Sequence, residues 1–281
     1  MKKIRIILLL VACAAMLFPV LCGAQAKIMT KKLKISDFTT KTTKVVLSGN
    51  EVFDISYKEE ITRRWRVSPY EFCTREEYES IKTNPDFYFL VPMTGQFKKE
   101  SEPGLRFLVL MKGGVEDGND PAVESLTVVK FPYASMSQSS GREFVYFPAI
   151  LDVIQDYTLK AMTSDLAGYT GLSGYAKRFG KSWDKDIYIS KDDVVGSVPR
   201  GIDARDEDDV DEAFSAGQKD LLVCYAIGSD TPEKGSYCYK MVLSADLHEL
   251  YYFDRHKISD RTPVGFLDSD LKIISAAKRT R

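Results

Sequence analysis

The chain has 281 residues, with 39 Lys and Arg against 40 Asp and Glu, 44% hydrophobic residues and 28% charged. That balance excludes a disordered, collagen-like or coiled-coil chain. Near-zero net charge, with no basic run beyond the N-terminal segment, sets up no field to attract nucleic acid or an anionic membrane.

Lys2, Lys3 and Arg5 precede an almost wholly apolar stretch over residues 6–21, broken by Pro19, and Ala24-Gln25-Ala26 then places small residues at −1 and −3. This is the layout of a cleaved secretory signal over residues 1–26. The apolar stretch falls short of the roughly 20 residues of a spanning helix. A lipoprotein signal at Cys22, followed by Gly23, is a further reading, opposed by the bulky Leu21 before it. The expectation is an extracytoplasmic protein, periplasmic or secreted, with no transmembrane segment in the mature chain. Loss of the signal leaves 36 bases against 40 acids, a formal charge of −4, and three cysteines, Cys73, Cys224 and Cys238. Three cysteines allow at most one internal disulfide.

Residues 27–61 read as an N-terminal extension in which Thr43-Lys44-Val45-Val46-Leu47 and Glu51-Val52-Phe53-Asp54-Ile55-Ser56-Tyr57 form a hairpin around Ser48-Gly49-Asn50. A first module follows over 62–163. It opens on the strand-like Trp65-Arg66-Val67-Ser68, and a helix begins near Thr74, where Thr74 and Glu77 have capping-box spacing and Asn84-Pro85-Asp86 ends the helix. Three antiparallel strands start near Phe87, Gly104 and Ser125, and a helix over 147–162 closes the unit. Residues 164–185, with four glycines among aromatic residues, read as a linker that packs on the fold.

The second module, 186–281, repeats the order: a strand at Ile187-Tyr188-Ile189-Ser190, an acidic helix over 207–216, strands near Leu221, Tyr237 and Leu250, and a final helix over 269–278. Offsets between the copies drift from 122 at the first strand to 134, 131 and 124, with each change in a loop. The pattern suggests an internal duplication. The fold class expected is α+β, as two similar β-α-β-β-β-α modules with antiparallel sheets and helices on one face.

The residues carry little catalytic chemistry. His248 and His256, the only histidines, would lie about 25 Å apart on an extended strand at roughly 3.3 Å per residue, too far to share a metal. No Gly-x-Ser-x-Gly or phosphate-loop motif occurs. Cys73 beside the Thr74 cap sits where a helix start lowers a thiol pKa, although a structural cysteine is the plainer account. Cys224 and Cys238 fall opposite each other if the hairpin turns at Thr231, and a disulfide between them is expected. The acidic groups 203–212 and 116–120 could hold calcium, but they lack EF-hand spacing, and a helix start and a polar turn are the plainer account. No other cofactor is indicated.

Aromatic strands are the remaining signal. Tyr237, Tyr239, Tyr251 and Tyr252 are the expected ligand-binding residues, because tyrosines side by side on a rigid sheet favour protein or glycan binding. These features together imply a non-catalytic binding protein whose partner is an envelope component or an extracellular protein or glycan. The rival is a hydrolase using dispersed carboxylates about 5 to 10 Å apart.

Overall fold

The computed structural model describes residues 31–114, 127–136, 141–176 and 185–277. Residues 1–26, expected to be a signal, and the acidic group 116–120 lie outside them. No helix among the described residues is long and apolar enough to cross a membrane.

The first module begins earlier than its sequence suggests. After β1 (Thr42–Val46), Ser48-Gly49-Asn50 starts a helix instead of turning a hairpin. Asn50 Oδ1 accepts the Phe53 N–H at 3.1 Å, and the Asp54 carboxylate accepts from Ser48 N at 2.8 Å, from Ser48 Oγ and from Gly49 N. Such bonds occupy amides that a helix start leaves without partners. The result is α1 (Glu51–Arg64), where a second hairpin strand was expected. Its apolar residues alternate as in a strand, but the helix buries Phe53, Tyr57 and Ile61, four apart, and leaves Val52 71% exposed and Ile55 68%.

The Trp65–Ser68 stretch is not a strand either. Trp65 is buried, its Nε1 donates to Ser68 Oγ at 3.0 Å, and the strand β2 (Tyr70–Cys73) follows. Helix α2 (Arg75–Ile81) then opens on the expected capping box, with Glu77 N donating to Thr74 Oγ1 and Thr74 N to Glu77 Oε2. Next come β3 (Phe87–Gly95), β4 (Leu105–Lys112), β5 (Thr127–Ser135) and the long helix α3 (Arg142–Thr163). The expected linker contains a helix, α4 (Asp165–Tyr175), broken at Gly171, where φ is 63° and ψ is −161°.

The second module contains β6 (Asp186–Ser190), a 3-10 turn (Lys191–Asp193), β7 (Asp203–Arg205), α5 (Glu207–Ser215), β8 (Leu221–Ile227), β9 (Tyr237–Ser244), β10 (Leu250–Lys257) and α6 (Asp268–Ala277). The chain is therefore α+β, with two five-stranded sheets in the orders β2-β1-β3-β4-β5 and β7-β6-β8-β9-β10. Position for position these are the same order, and in each the first strand runs parallel to both neighbours while the last three are antiparallel. Each sheet is thus mixed, its parallel pairs made by crossovers that the strand pattern alone does not show. The likeness fits a duplication, in which β6 corresponds to β1 and not to the Trp65 segment.

Strand alternation gives the second sheet two buried faces. Val223, Tyr225, Met241 and Leu243 look inward to a core shared with the first module and with Val210 and Phe214 of α5, while Leu222, Cys224, Cys238 and Val242 lie under Leu271 and Ile274 of α6. The expected disulfide is not formed. Cys224 stands opposite Val242 and Cys238 opposite His256, so the hairpin turns near Glu233, and both cysteines are buried free thiols. The two-residue displacement keeps every side chain on its expected face, which is why the pattern did not reveal it. Burial pushes both thiols up, Cys238 to about 12.

The two hairpin tips touch. Phe97 packs on Tyr237 with ring centroids 4.7 Å apart, a Cβ built on Gly104 would lie 3.1 Å from that of Ser229, and Ser101 donates to the Glu233 carboxylate through both N and Oγ at 2.6 Å. Further along, Phe107 meets Tyr239 edge-on at 5.7 Å. Phe107 also fixes the residue at Gly95, since a Cβ there would stand 2.2 Å from its ring. Gly95→Ala is expected to cost about 1–3 kcal/mol, as overpacking of a filled core does. The loss should appear as a lower denaturant midpoint at constant slope; an unchanged midpoint would mean that the ring yields without cost.

Candidate functional site

A cleft of about 590 Å³ opens where β4 and β5 approach β9 and β10. Met93, Val109 and Val129 of the first sheet form one wall, Tyr239 and Phe253 of the second form another, and Leu172 with the broken turn of α4 closes the side. Phe131 and Phe253 pack beside it at 5.4 Å. Apolar walls, a few polar groups and this volume are the usual character of a small-molecule site.

Local structure explains each contribution. Alternation along β9 turns Tyr237, Tyr239 and Met241 to the inner face, and Arg255 stands opposite Tyr239 in the ladder. Arg255 Nη1 donates to the Tyr239 hydroxyl at 3.1 Å, and the guanidinium lies over the Tyr237 ring at 4.8 Å. Lys130, opposite Val109, reaches over the Phe107 ring at 4.2 Å. Helix α4 is held by the Tyr157 hydroxyl, which donates to Ala167 O, and by Ser164 Oγ, which accepts from Ala167 N. The left-handed φ at Gly171, a conformation that suits glycine, interrupts the helix where it meets the cleft.

The four expected tyrosines do not form one platform. Tyr239 lines the cleft and Tyr237 adjoins it through Arg255, whereas Tyr251 and Tyr252 follow a bulge in β10 and pack with the cluster under α6. Tyr251 donates to Glu249 and Tyr252 to Asp270. Comparison with protein-family models, with curated proteins and with solved structures found no match to this chain.

A second polar centre joins the modules. Gly141, at φ 86°, sets up the start of α3 and with it Arg142, which is buried in a cavity of about 210 Å³. Its Nη1 lies 3.2 Å from Asp193 and 3.1 Å from Glu207, and its Nε lies 3.0 Å from Asp211, which also accepts from the Tyr146 hydroxyl at 2.7 Å. Two members of the 203–212 acidic segment are thus occupied by an arginine of the other module. No group of three or more His, Cys, Asp or Glu among the described residues is arranged to hold a metal. Arg142 bridges the carboxylates of Asp193, Glu207 and Asp211, so no open gap lies between them.

Burial pushes the Asp193 carboxyl up to about 6, against the pull of Arg142. A carboxyl raised in the folded state binds a proton that the unfolded chain has already released, so this group's contribution to stability is full below pH 4 and is lost as pH rises to about 6. Unfolding midpoints measured from pH 4 to 7 should fall across that window. Asp193→Asn should flatten the fall, and an identical pH profile in the variant would contradict the assignment.

The remaining candidates are structural. His248 is held at φ 54°, with Nδ1 2.6 Å from Asp152, which also pairs with Arg64 at 2.8 Å, and its ring stacks on Phe214. It is a half-buried intermodule contact. His256 Nε2 lies 2.9 Å from Pro263 O, so the two rings serve separate contacts. Burial raises the Cys73 thiol pKa, the opposite of activation. Arg142 and Arg255 were missed in the sequence. Arg142 did leave a signal, because a cation in the first turn of a helix opposes the helix dipole and needs a partner elsewhere.

Proposed function

We propose that the protein is a non-catalytic binding protein of the cell envelope or extracellular space, and that its ligand occupies the cleft between the modules. The observation that carries the reading is the hollow of about 590 Å³ with one aliphatic and one aromatic wall, built from both sheets and α4. The extracytoplasmic setting rests on the signal pattern of residues 1–26. Tyr239 keeps the binding role expected of it, with Tyr237 behind Arg255, while Tyr251 and Tyr252, packed under α6, leave it.

The test is titration with the neutral dye N-phenyl-1-naphthylamine, which brightens in apolar surroundings. Saturable binding at one dye per chain is expected, and Met93→Trp, which fills the cleft, should abolish it while leaving a folded circular-dichroism spectrum. Absence of saturable binding, or equal binding to a folded Met93→Trp variant, would overturn the reading.

A further inference from the structure

We infer that the ligand of this cleft carries an anionic group, a carboxylate or its sulfonate equivalent, on an apolar or aromatic body. The inference rests on the cleft being the binding site and adds the chemistry of what it takes. Two basic residues, Arg255 and Lys130, and no carboxylate are among the described residues that line it.

Arg255 supplies the recognition. No described carboxylate pairs with it, and its bond to the Tyr239 hydroxyl uses one of the five N–H donors of a guanidinium. Stacking on Tyr237 fixes the plane of the fork, so the remaining donors are presented without a further ordering cost. Tyr239 is the second half of the clamp. Its oxygen accepts from Arg255, which leaves its own O–H to donate to the same anion, and burial keeps it protonated. Glu100, a carboxylate whose charge acts on Tyr239, is buried and already accepts the Phe97 N–H at 2.7 Å. Beyond the clamp, Phe253 and Met93 offer the surface on which an apolar body would lie. Charge-assisted hydrogen bonds to a carboxylate or sulfonate are the strong kind, and a planar arginine fork matches such groups in two-point contact.

Two dyes of similar ring system separate this inference from the reading beneath it: the sulfonate 8-anilinonaphthalene-1-sulfonate and the neutral N-phenyl-1-naphthylamine. The sulfonate should bind about tenfold more tightly than the neutral dye, the effect of one or two charge-assisted bonds. Arg255→Gln should reduce the ratio of the two affinities to about one, Tyr239→Phe should reduce it in part, and Met93→Trp should abolish binding of both. If the dyes bind equally, or if the ratio survives Arg255→Gln, the anion inference is wrong while the cleft remains the site. If neither binds, or if both bind the Met93→Trp variant, the cleft reading itself fails.

Discussion

Replacing Lys240 with methionine is expected to cost about 3–5 kcal/mol, the typical result of removing one partner from a buried ion pair. Lys240 is 1% exposed, on the face of β9 that lies under α6, and its Nζ is 2.6 Å from Asp270 Oδ2. The same carboxylate accepts the Tyr252 hydroxyl at 2.7 Å and the Leu267 N–H at 2.8 Å, so three elements are tied to one residue at the start of α6. Without the ammonium, a carboxylate would remain among Phe266, Leu271 and Ile274, where desolvation is costly. The double variant Lys240→Met with Asp270→Leu should regain part of the loss, because it removes the stranded charge but also the two hydrogen bonds. Denaturant midpoints for the two singles and the double close the cycle. A loss below about 1 kcal/mol for Lys240→Met would show that the pair is not buried as described.

Arg142→Leu should be as severe at neutral pH, again about 3–5 kcal/mol, and it carries a second signature. Removing the guanidinium strips Asp193, Asp211 and Glu207 of their shared counter-charge. Asp193 already holds its proton up to about pH 6 against the pull of Arg142. Without that pull its pKa rises further, so the loss should be clearly smaller at pH 5 than at pH 7. Arg142→Lys should not restore stability, because Nε and Nη2 contact Asp211 while Nη1 spans Asp193 and Glu207, a geometry one ammonium does not reproduce. Equal losses at the two pH values would show that Asp193 is not the group that titrates.

Most of the second module was legible because its strands are short apolar runs between clear turns and its helices carry acidic starts. Leu221, Tyr237 and Leu250 open strands as expected. The first module misled where two periods overlap: Phe53, Ile55 and Tyr57 satisfy alternation, while Phe53, Tyr57 and Ile61 satisfy helical spacing, and the side-chain bonds of Asn50 and Asp54 favour the helix. The parallel pairing of β1 and β6 was hidden because nothing in a strand's own sequence states which later strand lies beside it. The site was less legible than the fold. Tyr239, which lines the cleft, was a candidate because aromatic strands attract notice, but the cleft is made by Met93, Arg255 and a break at Gly171 that only tertiary packing brings together.

The touching hairpin tips have a symmetry of their own. Phe97 lies two residues beyond β3 and Ser229 two beyond β8, while Gly104 immediately precedes β4 and Tyr237 opens β9. Each tip therefore leans on the start of the other's next strand. Ser101 and Glu233, each four residues before β4 or β9, meet each other, as do Phe107 and Tyr239, each third in its strand. Reciprocal contacts around self-paired positions are the pattern of an isologous interface, the kind that closes two identical subunits into a dimer. The arrangement fits a duplication of one unit, in which joining would release each half from having to match the other. A true two-fold pair would carry the same hollow twice. Here α4, which has no counterpart among the described residues of the second module, walls only one side, and the cleft it closes is asymmetric.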